Sequence, residues 1–183
     1  MGTAFVGGLG VSLILVVVVP SAITAADLLL GAASGVLIAI ALSAMWHSLA
    51  VSSSAIASPI VAAFTALGPL TYGFATGERP TQLANVGIAV AVFGLLLAVI
   101  VPQSVTNVGT GIAYAVLGGL AFTALIVLLD KTSVDSGMWP AFTQRAAALV
   151  VMLLVTRASR IPQILPRSLR LAALAGGIAG GSG

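Results

Sequence analysis

Leu28 to Gly77 reads LLLGAASGVLIAIALSAMWHSLAVSSSAIASPIVAAFTALGPLTYGFATG, fifty residues without an acid, lysine or arginine. His47 is the one histidine in it. A helix that crosses the hydrocarbon core of a bilayer takes about 20 apolar residues. The stretch is too long for one crossing and holds two, with a break at Ser52-Ser53-Ser54 in its middle.

The same arithmetic extends to both sides. Met1 to Ala26 is uncharged and holds one span, and Pro80 to Leu129 is uncharged and holds two about a break at Pro102 to Asn107. Spans are expected at 3–22, 28–51, 54–76, 82–101, 109–129 and 138–156, with a partial seventh from Ser168 to Gly183. The composition agrees: 60% of the 183 residues are hydrophobic and 6% charged, against about 25% charged in a soluble domain. Mean hydropathy is +1.21. A water-soluble globular domain and a disordered chain are both excluded.

Helices are expected rather than a membrane barrel. Val11 to Val19 is apolar but for Ser12, and Ile88 to Val101 is apolar at every position, whereas barrel strands alternate. Within lipid each backbone polar group needs a partner inside its own segment. The opening run lacks the basic start of a secretory signal, and further spans follow it. The chain is therefore read as an all-α polytopic membrane protein in the cell membrane, with the lipid bilayer as its first partner.

Small residues recur at helical spacing: Gly31 with Gly35, Gly176 with Gly180, and the stripe Ala44, Ser48 and Ser52. Such pairs let helix backbones approach. Pro59 and Pro69 both fall in the third span, where each removes a backbone donor and favours a kink. Ala4-Phe5 leading into Val6 to Val19 resembles Ala141-Phe142 leading into Thr143 to Thr156. The two copies lie an odd number of spans apart, so they cross in opposite senses, as in the inverted repeats of secondary transporters.

Taken in order, the glycine-rich run Gly31 to Ser48, the serine turn, Pro59, Leu67-Gly68-Pro69, Gly77-Glu78-Arg79 and Gln82 to Val101 resemble the EamA-like branch of the drug/metabolite transporter superfamily. Residues 109–183, with Pro140 and Arg145, resemble the opening of that family's second repeat. The resemblance implies a five-plus-five inverted-repeat bundle. On it, 1–101 is most of the first repeat without its first helix, 102–108 a linker, and 109–183 a truncated second repeat. It also implies a bacterial inner membrane and a path lined by the second, third and fifth spans. The expected function is transport of small organic solutes by alternating access on a gradient. The alternative is a truncated or accessory membrane protein without transport of its own. A homo-oligomer, or the missing remainder of the transporter, is expected to complete the bundle.

Ionisable groups inside a bilayer are costly and default to functional candidates. His47 either meets solute or a proton, or is a neutral histidine hydrogen-bonded to a neighbour. Arg145, beside Gln144, either attracts an anionic solute or snorkels to the headgroups. Trp46, Tyr72 and Tyr114 either line the path or join the interfacial aromatic belt, and Trp139 belongs to the belt. Glu78 and Arg79 read as an interfacial pair that caps a helix. Asp130, Lys131 and Asp135 read as a solvated loop.

One histidine and no cysteine leave no set of metal ligands, no disulfide and no iron–sulfur cluster. No catalytic residues, metal or cofactor are assigned, and an enzyme is not expected. A net charge of +3 is too small for nucleic-acid binding, although the isoelectric point is near 10.2. The segment from Arg157 to Arg170 holds four arginines and no acid, which places it in the cytoplasm by the positive-inside rule. The family resemblance instead places the Glu78-Arg79 turn there, three spans earlier and on the opposite face, and the resemblance is preferred.

Overall fold

The computed structural model describes residues 9, 10, 12, 13, 16, 18, 21–52, 54–99 and 108–158. The expected seventh span, most of the first, the Gly176 and Gly180 pair and the basic segment beyond Ala158 lie outside the described residues.

Five long helices account for nearly all of the described chain: α1 (Ala25–Val51), α2 (Ser54–Ala75), α3 (Gln82–Val99), α4 (Val108–Asp130) and α5 (Trp139–Ala158). The described residues contain no strand, in accord with the expected all-helical class. Four of these helices, α1, α2, α4 and α5, are long and apolar enough to cross a membrane. α3 is apolar as well but shorter over its fully described part, Gln82–Gly94. Their bounds follow the expected spans to within three residues.

Local chemistry sets the ends. α1 starts earlier than the charge gap suggests: the Thr24 hydroxyl accepts a hydrogen bond from the Asp27 N–H at 3.2 Å and donates to Oδ2 of Asp27 at 2.7 Å. Threonine before the helix with an acid three residues on is a capping arrangement. α2 runs through both Pro59 and Pro69 as one helix. It stops where the Glu78 N–H reaches the Gly73 carbonyl at 2.9 Å and the Gly77 N–H reaches Phe74 at 3.2 Å. That pairing is a Schellman stop, and it needs Gly77 at φ +93°, a conformation costly for a residue with a side chain.

The chain divides into two compact units, Met1–Ala39 with Leu128–Gly183, and Ile40–Val127. In the first unit α1 and α5 run in the same direction. Gly31 lies against Pro140 and Thr143, and one turn on Gly35 lies against Gln144 and Ala147. A Cβ on Gly31 would sit 2.5 Å from the Pro140 carbonyl oxygen, and one on Gly35 would sit 2.8 Å from the Ala147 methyl. Ser34 and Ala148 are fully buried. The segment between α4 and α5 carries a 3-10 turn, Val134–Ser136, and is tied to the head of α1. Oδ1 of Asp27 accepts from the Ser133 N–H at 2.9 Å, and the Ala22 N–H donates to the Asp135 carbonyl at 2.8 Å. Asp130, Lys131 and Asp135 are exposed there, as expected of a loop.

In the second unit α1 and α4 run antiparallel. The stripe Ala41, Ala44 and Ser48 is buried against α4, with Ala41 and Ser48 at 0% exposure. The Ser48 hydroxyl donates to the Gly111 carbonyl at 2.7 Å. Gly118 sits over the Ala41 carbonyl, where a Cβ would lie 3.2 Å from the oxygen. α2 and α4 run parallel, with Phe64 on Gly119 and Gly68 on Thr123. α3 packs on α2 through Ile88, Ala91 and Val92. Each of these pairwise directions is the one a chain that reverses at every turn must have.

Candidate functional site

Of the residues expected to carry function, His47 and Tyr114 meet within the second unit. Their ring centroids are 4.3 Å apart at 61°, an edge-on contact between α1 and α4. It is one residue from the Ser48–Gly111 hydrogen bond, so the close approach at Gly111 brings the two rings within reach. His47 is exposed and Tyr114 half-buried. Trp46, on the neighbouring face of α1, is 50% exposed. Tyr72 is half-buried in the last turns of α2, where its carbonyl accepts from the Thr76 N–H at 2.9 Å.

Arg145 lies in the other unit. It is half-buried two turns into α5, and its guanidinium donates to the Ser12 hydroxyl. Ser12 has no exposed surface. The backbone of Gln144 supports Gly35, so its position is fixed by α1–α5 packing. Trp139 and Phe142 open α5 as an edge-on pair 6.0 Å apart. Glu78 and Arg79 are exposed. With Pro69, Gly73 and Phe74 they line a cavity of about 190 Å³ at the end of α2, and a Cβ on Gly73 would lie 2.7 Å from the Glu78 carboxylate.

Two features carry no mark in the residue-by-residue reading of charges and aromatics. The first is the Thr24–Asp27–Ser133 junction, whose signal is the spacing Thr24-x-x-Asp27. The second is a groove of about 350 Å³ on α2 and α4, lined by Ala63, Phe64, Leu67, Gly68, Thr71, Leu120 and Thr123. Its signal is Gly68-Pro69 in one apolar helix and Thr123 one turn after Gly118-Gly119 in another. The Thr123 hydroxyl donates to the Phe64 carbonyl at 2.7 Å, and the Thr71 hydroxyl donates to the Gly68 carbonyl at 2.8 Å. Phe64 and Leu120 stand near the midpoints of their helices, so the groove lies at mid-depth of the spans.

Among the described residues no three of His, Cys, Asp and Glu come together to hold a metal. No protein-family model matches the chain, and neither does a curated protein or a solved structure.

Proposed function

We propose that the chain is an integral membrane transporter of small organic solutes without net positive charge, of the EamA-like drug/metabolite kind. In this reading it works by alternating access on a solute or ion gradient, in a bacterial inner membrane. The described helices belong to a bundle of six spans and a partial seventh, built on an inverted repeat.

The observation that carries the reading is the mid-depth groove on α2 and α4, beside Gly68-Pro69, where proline withholds one backbone N–H from a helix that stays continuous. Secondary transporters place substrate near the bilayer midplane. The Leu28–Gly77 and Gly77-Glu78-Arg79 patterns support the family. Arg145, a cation inside an apolar helix, supports the exclusion of cationic solutes, which it would repel. His47 and Tyr114, in the same unit as the groove, add two side chains able to hydrogen-bond a solute.

The test is counterflow in liposomes reconstituted with the full chain. A panel of neutral, zwitterionic and anionic amino-acid-like solutes is expected to contain at least one that exchanges. Tetraphenylphosphonium, a permanent cation, is expected not to exchange. Absence of counterflow across the panel favours the accessory membrane protein instead.

A further inference from the structure

We infer that the α2–α4 groove binds a small uncharged solute that carries a hydrogen-bond donor on an apolar body. The inference deepens the transport reading by naming a substrate class, and rests on it for the purpose of the site. The groove has no ionisable side chain: its seven lining residues are Ala63, Phe64, Leu67, Gly68, Thr71, Leu120 and Thr123. A charge placed there at mid-depth would have no counter-charge on the lining.

The polarity of the two threonines is one-sided. A hydroxyl has one proton to give and two lone pairs to receive with. Thr123 gives its proton to the Phe64 carbonyl, with Gly119 at 3.1 Å as second acceptor, and Thr71 gives its own to Gly68. Both hydroxyls therefore offer the groove acceptors only. A ligand that satisfies such a lining brings an O–H or N–H and no acceptor that demands a donor.

Size and position choose a free solute over a lipid. About 350 Å³ lies at the small end of the range for small-molecule pockets. On α2 the lining runs from Ala63 to Thr71, about 12 Å of helix, and stops a turn short of the end at Ala75. A lipid held by its headgroup at the interface would need the groove to continue to that end.

The test uses a photoactivatable pair: a diazirinyl benzyl alcohol and its methyl ether, alike in apolar body, with the donor present only in the alcohol. The full chain in phospholipid vesicles is irradiated with each and the adducts mapped by mass spectrometry. The alcohol is expected to label residues 63–71 and 120–123 saturably and about fivefold more than the ether, the worth of one neutral hydrogen bond. Phenol is expected to compete and dioleoylglycerol not to.

Thr123→Val and Thr71→Val each keep the shape and remove a hydroxyl, and each is expected to bring the two probes closer to equal labelling. Thr71 is exposed, so its variant remains informative if Thr123→Val does not fold. Equal labelling by the ether, adducts as frequent at Val90 and Phe93 of α3, a preference unchanged in the variants, or displacement by dioleoylglycerol alone would each overturn the proposal. Labelling is read without transport. A labelled groove in a chain that shows no counterflow removes the transport reading and leaves the site. Counterflow with an unlabelled groove does the reverse.

Discussion

At the scale of single residues, glycine separates two kinds of position that look alike in sequence. Gly31 and Gly35 have a neighbouring backbone or side chain where a Cβ would go, while Gly87 and Gly94 on α3 have nothing within 4 Å. Gly31→Val is expected to destabilise the protein by about 1–3 kcal/mol, as overpacking does elsewhere. Gly87→Ala is expected to be neutral or to raise stability by up to about 1 kcal/mol, through helix propensity. Thermal unfolding in detergent, read by loss of the monodisperse peak, separates the two signs. Arg145→Ala is expected to leave counterflow of neutral solutes unchanged and to ease the exclusion of a permanent cation, which Arg145 repels. Uptake of a permanent cation at equal rates in both proteins would contradict the proposed role. Asp27 holds two donors from separate segments, and Asn in its place turns an N–H₂ toward one of them. Asp27→Asn is expected to loosen the segment before α5, seen as faster hydrogen exchange at Ser133 and Asp135.

At the scale of elements, helix position was legible and helix ends less so. The expected 28–51, 54–76, 109–129 and 138–156 compare with Ala25–Val51, Ser54–Ala75, Val108–Asp130 and Trp139–Ala158. The agreement has a simple cause. A bilayer imposes its thickness on each segment independently, so a one-dimensional count of apolar residues finds it. The largest of these differences are three residues at the head of α1, where the Thr24–Asp27 capping arrangement carries the helix past a charge, and two at the tail of α5, which continues past Arg157. At the other end of the scale, α2 stops because Gly77 adopts a positive φ. Gly77→Ala is expected to cost roughly 1–2 kcal/mol, the penalty of a left-handed residue with a Cβ. Circular dichroism melting with and without the substitution measures it. Proline 59 and proline 69 show the limit of local rules, since each weakens the helix and yet α2 is continuous through both.

At the scale of the whole molecule, pair directions carry the information. α1 with α5 in one unit, and α2 with α4 in the other, run parallel, and α1 with α4 antiparallel. Within each unit, reversal at each connection gives those senses. The chain has no cysteine, so single-cysteine labelling with impermeant maleimide reads the orientation cleanly. With the Glu78-Arg79 turn in the cytoplasm, Arg79→Cys is expected to label from the cytoplasmic side and Ser168→Cys from the opposite side. Labelling of Ser168→Cys from the cytoplasm alone would favour the positive charges of the Arg157 to Arg170 segment over the family pattern.

The sequence by itself determined the helical class, the placement of the apolar segments and the small-residue faces, because each follows from the composition of one segment measured against one solvent. The stripe Ala44, Ser48 and Ser52 was legible for that reason, and Ser48 and Ser52 do sit on Gly111. Which faces meet was decided only in three dimensions. His47 found Tyr114, and Thr123 found the Phe64 carbonyl, across sequence separations of more than fifty residues. In an environment as apolar as the side chains themselves, no amphipathic pattern marks the contact face of a helix. Close packing of backbones and single hydrogen bonds choose the partner, and those exist only once the helices are side by side.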